Sequence, residues 1–251
     1  MRAPRSVRSR YLDARAMSTH STPALALIGD VHGDPTAIVI ADRRLPRGVP
    51  LLQVGDFGWW PTTQDRWIRI ASELQRELFW IRGNHEHYPS MPWLHATEVV
   101  TLCPQLHFVP DGVVLSVDGL RIGCVGGASS IDQLERRPGE TWFAEEVLDT
   151  ASERRALAMG AVDLLVTHCP PAWAIAATAD PRMPALFRLP ADWQDPSAAA
   201  VERIHAALGT PPLVCGHMHY RWSHAERRVR ILDVDEVLPW PPSTAGTEPV
   251  A

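Results

Sequence analysis

Five short blocks of the sequence join aspartate, histidine or asparagine to glycine or proline, and each follows an apolar run typical of a buried strand. The blocks are GDVHG at 29–33, GDFG at 55–58, GNHE at 83–86, THCP at 167–170 and GHMH at 216–219. Ligand sites in α/β proteins collect at the carboxyl ends of parallel strands, so blocks far apart in sequence can converge. Glycine in four of the blocks permits sharp turns and a close backbone approach. The pattern therefore predicts an α/β domain with one site built from several strand ends.

The order of the remaining patterns indicates mixed strands with helices between them. We expect strands at 24–28, 50–54, 78–81, 162–166, 213–215, 219–225 and 229–234. We expect helices at 35–44, 64–75, 145–159 and 198–208. Between residues 105 and 125, two Asp-Gly turn signals predict a small antiparallel meander.

The length of 251 residues fits one domain, most simply a β-sandwich flanked by helices over residues 24–238. Residues 1–23 carry five arginines and no hydrophobic run, which predicts a disordered extension rather than a secretory signal. The tail at 239–251 is rich in Pro, Ser, Thr and Gly and is also expected to be disordered. No apolar run approaches the roughly 20 residues of a membrane span. Four cysteines without a close-pair spacing fit a reducing environment, so we expect a cytoplasmic protein.

The donor residues in the blocks suit two divalent ions better than one. They are Asp30, His32, Asp56, Asn84, His168, His217 and His219. This set exceeds the three or four protein ligands of a mononuclear zinc site, and a carboxylate such as Asp56 can bridge two ions. Imidazole and carboxylate donors together favour Mn, Fe, Zn, Ni or Co over Mg or Ca, and we expect Mn²⁺ first. Two such ions, about 3.5–4 Å apart, generate hydroxide at neutral pH and clamp a phosphoryl group.

In this order the blocks resemble the signature of the calcineurin-like metallophosphoesterases, which reads D-x-H, G-D, G-N-H-[DE], a lone His and G-H-x-H. The resemblance covers residues 24–234. It implies a four-layer αββα sandwich in which two mixed β-sheets are flanked by helices. It also implies that one ion is held by Asp30, His32 and His219, the other by Asn84, His168 and His217, and that Asp56 bridges them.

The same resemblance implies how catalysis is divided among the residues. His85 would steady the transition state or protonate the leaving oxygen, whereas Asp56 and Asn84 would act through the ions that they hold. The family pattern implies a metal-bridging hydroxide as nucleophile and no covalent intermediate.

The second block departs from the protein Ser/Thr phosphatases of the superfamily, which carry G-D-x-x-D-R-G where this chain has GDFGWWP. In those enzymes the second Asp orients the GNHE histidine, so the residue that orients His85 is left open. The GDFGWWP block and the run at 126–146 are similar to a group of small bacterial and phage phosphoesterases. In that group the run lies near the mouth of the site.

Five residues are candidates for contact with a substrate. Asp132, Arg136 and Arg137 lie in the run at 126–146, and arginine gives bidentate contacts to phosphate. A solvated surface loop is the alternative for these three. Trp59 and Trp60 follow the Asp56 block, and their rings could either stack on a nucleobase or pack within the protein.

The function expected from these features is hydrolysis of small phosphate mono- or diesters, with nucleotide-type substrates favoured. A phosphoprotein phosphatase is the alternative, but the chain has no long insertion that would build a peptide groove. A catalytically inert scaffold is a third possibility, which the complete set of donors disfavours. The net charge of −5 argues against stable binding of the protein to duplex nucleic acid. We expect no membrane partner. The sequence makes no prediction of oligomeric state.

Overall fold

In the computed structural model, residues 22–241 are described, and twelve strands and six α-helices follow one another within them. The strands are β1 (Leu25–Ile28), β2 (Leu51–Gln53), β3 (Leu78–Trp80), β4 (Val100–Cys103), β5 (Leu106–Phe108), β6 (Val113–Val117), β7 (Leu120–Val125), β8 (Leu164–Thr167), β9 (Leu213–Cys215), β10 (Trp222–His224), β11 (Val229–Ile231) and β12 (Val237–Trp240). The helices are α1 (Thr36–Arg44), α2 (Gln64–Ala71), α3 (Thr150–Leu157), α4 (Ala172–Thr178), α5 (Met183–Leu186) and α6 (Pro196–Ala207). Short 3₁₀ turns lie at Tyr88–Ser90, Gln133–Glu135 and Ala144–Glu146.

The strands form two mixed six-stranded sheets. The first has the order β12-β1-β2-β3-β5-β4, and the second has the order β10-β11-β9-β8-β7-β6. In each sheet the four central strands are parallel and the two edge strands are antiparallel. The predicted blocks follow β1, β2 and β3 in the first sheet and β8 and β9 in the second. Parallel central strands thus carry all five blocks at their carboxyl ends.

Alternation of side chains along the strands divides the core into layers. In β1, Leu25 and Leu27 pack in a cluster that draws on both sheets, whereas Ala26 and Ile28 pack on the opposite face, in a cluster that includes residues of α1 and α2. The second sheet repeats this arrangement, because Leu165 joins a separate cluster that includes residues of α3 and α6. Central strands such as β1 and β8 are therefore buried on both faces. The expectation of two mixed sheets flanked by helices is confirmed.

The predicted meander at 105–125 is wrong, because its strands belong to different sheets. β5 pairs with β3 in the first sheet, while β6 and β7 form a hairpin in the second. Of the two Asp-Gly signals, only Asp118-Gly119 makes the hairpin turn, with positive φ at both residues. The Asp111 carboxylate instead accepts bonds from Arg82 Nε at 2.9 Å and Gly126 N at 2.6 Å. Tertiary contacts thus fix that dipeptide where the chain crosses between the sheets.

The ordered fold extends past the predicted boundary at residue 238. β12 pairs antiparallel with β1, with Trp240 opposite Leu25, so Pro239 and Trp240 belong to the sheet. Proline is tolerated because β12 lies at the edge, where a missing N–H leaves no partner unpaired. Of the segments predicted to be disordered, 1–23 and 239–251, residues 1–21 and 242–251 lie outside the described residues. Within the described part, no helix is long and apolar enough to cross a membrane.

Candidate metal centre

The blocks meet where the carboxyl ends of the two sheets face each other, and their backbone is strained there. Four of the seven predicted ligands have φ in the left-handed region, where residues other than glycine are uncommon. They are His32 (46°), Asp56 (55°), His217 (71°) and His219 (54°). Each such residue costs on the order of 1–3 kcal/mol and persists only where surrounding structure enforces it. The concentration of strain in this one place is typical of a functional site.

Glycine is required at two positions because the blocks pack so closely. A Cβ atom on Gly55 would lie 2.3 Å from Nδ1 of His168, and one on Gly216 would lie 2.1 Å from Oδ1 of Asp30. Both contacts are far inside van der Waals distance. These glycines allow a strand end from one sheet to touch a ligand-bearing loop from the other.

Asp30, His32, Asp56 and His219 form the first group of ligand atoms. One ligand atom from each lies within 4.8 Å of the others, and together they could hold a metal ion. His219 Nε2 is 3.2 Å from Asp30 Oδ2 and 3.0 Å from His32 Nε2. The Asp30 carboxylate is fixed by the backbone N–H of His217, which donates to it at 3.0 Å.

Asn84, His168 and His217 form the second group. Oδ1 of Asn84 lies 3.0 Å from both His168 Nε2 and His217 Nδ1. Nδ1 of His168 lies 3.0 Å from the carbonyl oxygen of Val54 and donates its proton there. That bond sets the tautomer and leaves the lone pair of Nε2 facing the site, as in histidines that ligate metals.

Asp56 lies between the two groups. Its Oδ1 accepts the backbone N–H groups of Asn84 and His85, both at 2.8 Å, and lies 3.4 Å from His168 Nε2. Its Oδ2 is buried and has no hydrogen-bond partner among the described residues. Leaving a carboxylate oxygen buried and unpaired is costly. The orphaned oxygen and the imidazoles around it fit a carboxylate that binds a cation.

Burial and neighbouring charges together set the protonation states of the acids and bases of the centre. Burial alone would raise the pKa of Asp56, but four histidines, His168 foremost, outweigh it and hold the pKa well below its ordinary value. Burial, aided by His168, lowers the pKa of His217 to about 3. The hydrogen bond to Asp30 raises the pKa of His219. At neutral pH, Asp56 is therefore an anion and His217 a neutral donor, which are the forms that bind metals.

The comparison with known families agrees with this geometry. A family model described as calcineurin-like phosphoesterase matches residues 24–221. The chain belongs to the calcineurin-like phosphoesterase family. The matched region contains all seven predicted ligands, and members of this family are phosphoesterase hydrolases that use divalent metal ions. No curated protein matches the chain.

His85 lies at the edge of the centre and is partly exposed. Its Nε2 lies 4.0 Å from Asp56 Oδ2, and its ring centroid lies 5.0 Å from that of His32. Nη2 of Arg136 approaches its ring nitrogens at 2.9 and 3.2 Å. Arg136 is in turn held by Asp132, with Nε 2.8 Å from Oδ1. The Arg136–Asp132 pair thus lies beside His85, where the protein Ser/Thr phosphatases have an aspartate that orients this histidine. Burial lowers the pKa of His85.

The other three candidates for substrate contact are Trp59, Trp60 and Arg137. Trp59 is 4% exposed, stacks on Trp80 in the core and has no free face for a nucleobase. Trp60 packs beside Phe143 and donates its indole N–H to the carbonyl of His85 at 2.8 Å. For the buried Trp59 the packing interpretation fits the structure. Trp60 is only half-buried, so base stacking on its ring stays a prediction. The Arg137 side chain is 80% exposed and lies 3.4 Å from Glu140.

Glu86, the last residue of the GNHE block, has a structural role that its sequence context did not predict. Its buried carboxylate accepts the N–H groups of Phe57, Gly58, Trp59 and Gly83, at 2.7–3.2 Å. Burial raises its pKa to about 7, with a further contribution from Asp56. Glu86 thereby joins the GDFG and GNHE loops. The available clue was its place in a glycine-rich block, whose exposed N–H groups need an acceptor.

Proposed function

We propose that this calcineurin-like phosphoesterase hydrolyses small phosphate mono- or diesters with two divalent transition-metal ions, Mn²⁺ first among them. The observation that carries the proposal is the position of the Asp56 carboxylate between two groups of imidazole, carboxylate and amide donors. Its Oδ1 lies 3.4 Å from His168 Nε2, and its orphaned Oδ2 lies 3.9 Å from His32 Nδ1. Asp30, His32 and His219 would hold one ion and Asn84, His168 and His217 the other. When bound, the two ions supply a nucleophile at neutral pH and neutralise charge on the phosphoryl oxygens.

His85 acts on the ester itself. It is the partly exposed imidazole that has no place in either ligand group, and it lies within 4.0 Å of Asp56 Oδ2. From that position it can donate a proton to the leaving oxygen or a hydrogen bond to a phosphoryl oxygen. Trp60 steadies its backbone through the bond to its carbonyl.

Arg136 binds the phosphate group. Its guanidinium is held in place by Asp132 and points toward His85, so a phosphoryl group beside His85 would meet a cation that is already oriented. Charge-assisted contacts from arginine to phosphate are stronger than neutral hydrogen bonds. Arg137, its neighbour, is solvated and serves as the natural comparison.

Arg136→Ala is expected to lower kcat/KM for an aryl phosphate by about 10- to 100-fold, the size of one lost hydrogen bond to a charged group. Arg137→Ala removes the same side chain one position away and should stay within about twofold of wild type, as surface substitutions do. Steady-state kinetics of both variants provides the measurement. Equal losses in the two variants, or none in Arg136→Ala, would contradict phosphate binding by Arg136.

Removal of metal ions is expected to abolish hydrolysis of aryl phosphate mono- and diesters, and added Mn²⁺ should restore it. The physical reason is that the ions supply the nucleophile. Rates are measured on wild-type protein before chelation, after dialysis against a strong chelator, and after reloading. Full activity in the metal-free protein would refute the proposed function. A reloaded protein that acted on phosphopeptides far better than on aryl esters or nucleotides would instead favour a phosphoprotein phosphatase.

A further inference from the structure

A relay of buried hydrogen bonds leads away from Asn84 into the run at 126–146. The side-chain amide of Asn84 donates from Nδ2 to Ser130 Oγ at 2.9 Å, and Ser130 Oγ donates to Glu146 Oε2 at 2.9 Å. The backbone N–H of Ser130 donates to the other carboxylate oxygen, Oε1, at 2.6 Å. Asn84, Ser130 and Glu146 are 4%, 1% and 0% exposed, so water does not compete for these bonds.

The relay has a direction. A serine hydroxyl carries one proton, and here that proton goes to the Glu146 carboxylate. The oxygen of Ser130 is therefore left as an acceptor, which suits only the NH₂ end of the Asn84 amide. The amide carbonyl must then face the other way, toward His168 Nε2 and His217 Nδ1, each 3.0 Å from it. A reversed amide would turn two N–H donors toward the position that the second ion would occupy.

Contacts on both sides hold the relay in place. The indole N–H of Trp142 donates to Glu146 Oε1 at 2.9 Å, and the Glu146 carbonyl accepts the N–H of Ala128 at 3.0 Å. On the other side, the N–H of Ser129 donates to Asp195 Oδ2 at 2.9 Å, and Asp195 also caps α6. The loop that carries Ser130 is thus tied both to a 3₁₀ turn and to a helix.

We infer that Ser130 and Glu146 are positioning residues that hold the Asn84 amide with its oxygen toward the second ion. The inference rests on the proposed function, since it assigns a task to residues behind that ion's ligands. It also gives a role to the GGASS and WFAEE parts of the run at 126–146, which carry no ligand of their own.

Ser130→Ala is expected to weaken binding of one Mn²⁺ ion by about 10- to 100-fold and to leave the other unchanged, the usual effect of removing a partner behind a ligand. Calorimetric titration of the metal-free protein with Mn²⁺ measures the two affinities separately. Ser129→Ala is the matched control, because it removes a hydroxyl of similar burial that lies outside the relay. This control should bind both ions as wild type does.

Glu146→Gln tests the direction of the relay without deleting an atom. With Gln oxygen accepting from Ser130 N and Trp142, its NH₂ group would face Ser130 Oγ, so the hydroxyl proton would turn toward Asn84 and favour the reversed amide. We expect weakened binding of the same single ion as in Ser130→Ala. If wild type bound two ions and both variants also bound both with unchanged affinity, the relay alone would be refuted. A wild type that bound fewer than two ions would overturn the proposed function and the relay with it.

Discussion

Replacing Asp56 with asparagine is expected to lower kcat/KM for an aryl phosphate by at least about 10³-fold, since the loss of both ions removes at least about 4 kcal/mol of transition-state stabilisation. The substitution exchanges the orphaned Oδ2 for an NH₂ group, which cannot ligate a cation. The change also removes the negative charge that lies between the two groups of donors. Steady-state kinetics with saturating Mn²⁺ gives the measurement.

The fold should survive this substitution. Oδ1, which accepts the N–H groups of Asn84 and His85, is kept in asparagine. Asp34→Asn is the matched control, because it makes the same chemical change in an exposed carboxylate, which accepts bonds from Thr36 at the start of α1. That control should keep nearly full activity. An Asp56→Asn protein with activity close to wild type would rule out Asp56 as a shared ligand.

His85→Ala is expected to keep both ions and to lose about 10²- to 10⁴-fold in kcat, the usual size of a general-acid contribution. An activated aryl leaving group hardly needs a proton, whereas an alkoxide such as a ribose oxygen needs one badly. The loss should therefore be larger for the alkyl ester. Parallel kinetics on an aryl ester and an alkyl ester of the same phosphate, together with metal analysis of the variant, provide the test.

The outcomes for His85→Ala assign its role. Equal losses on both esters with both ions retained would show that His85 stabilises charge on the phosphoryl oxygens instead of donating a proton. Loss of an ion would show that His85 belongs with the ligands, which would contradict the division of labour proposed above.

The parts of the site predicted from sequence are those that local chemistry determines. A ligand block needs an apolar strand before it and a glycine or proline beside the donor, and both are visible within about ten residues. The parallel sheets then bring Asp30 and His217 together although they are far apart in the chain. The layered fold follows in the same way, because alternating residues of β1 pack on opposite faces.

The parts that were missed depend on long-range contacts. The local sequence does not distinguish the Asp111-Gly112 crossover from the Asp118-Gly119 hairpin turn. The conformation at Asp111 depends on hydrogen bonds from Arg82 and Gly126. β12 is a strand because it pairs with β1, which lies near the other end of the described residues.

Neighbouring residues of one type can also have opposite surroundings. Arg136 contacts His85, whereas Arg137 lies in solvent, although both directly follow the same 3₁₀ turn. Ser130 could not be linked to Asn84 without the fold, because 46 residues separate them.

The central claim, that two ions share Asp56, is tested most directly by counting the ions. Wild-type protein and Asp56→Asn are stripped with a chelator, equilibrated with Mn²⁺, freed of excess metal and measured by elemental analysis against protein concentration. The account predicts two tightly held ions per wild-type chain and a loss of both in Asp56→Asn, because the same carboxylate serves both groups of ligands. A single ion in wild type, or two tightly held ions in Asp56→Asn, would contradict it.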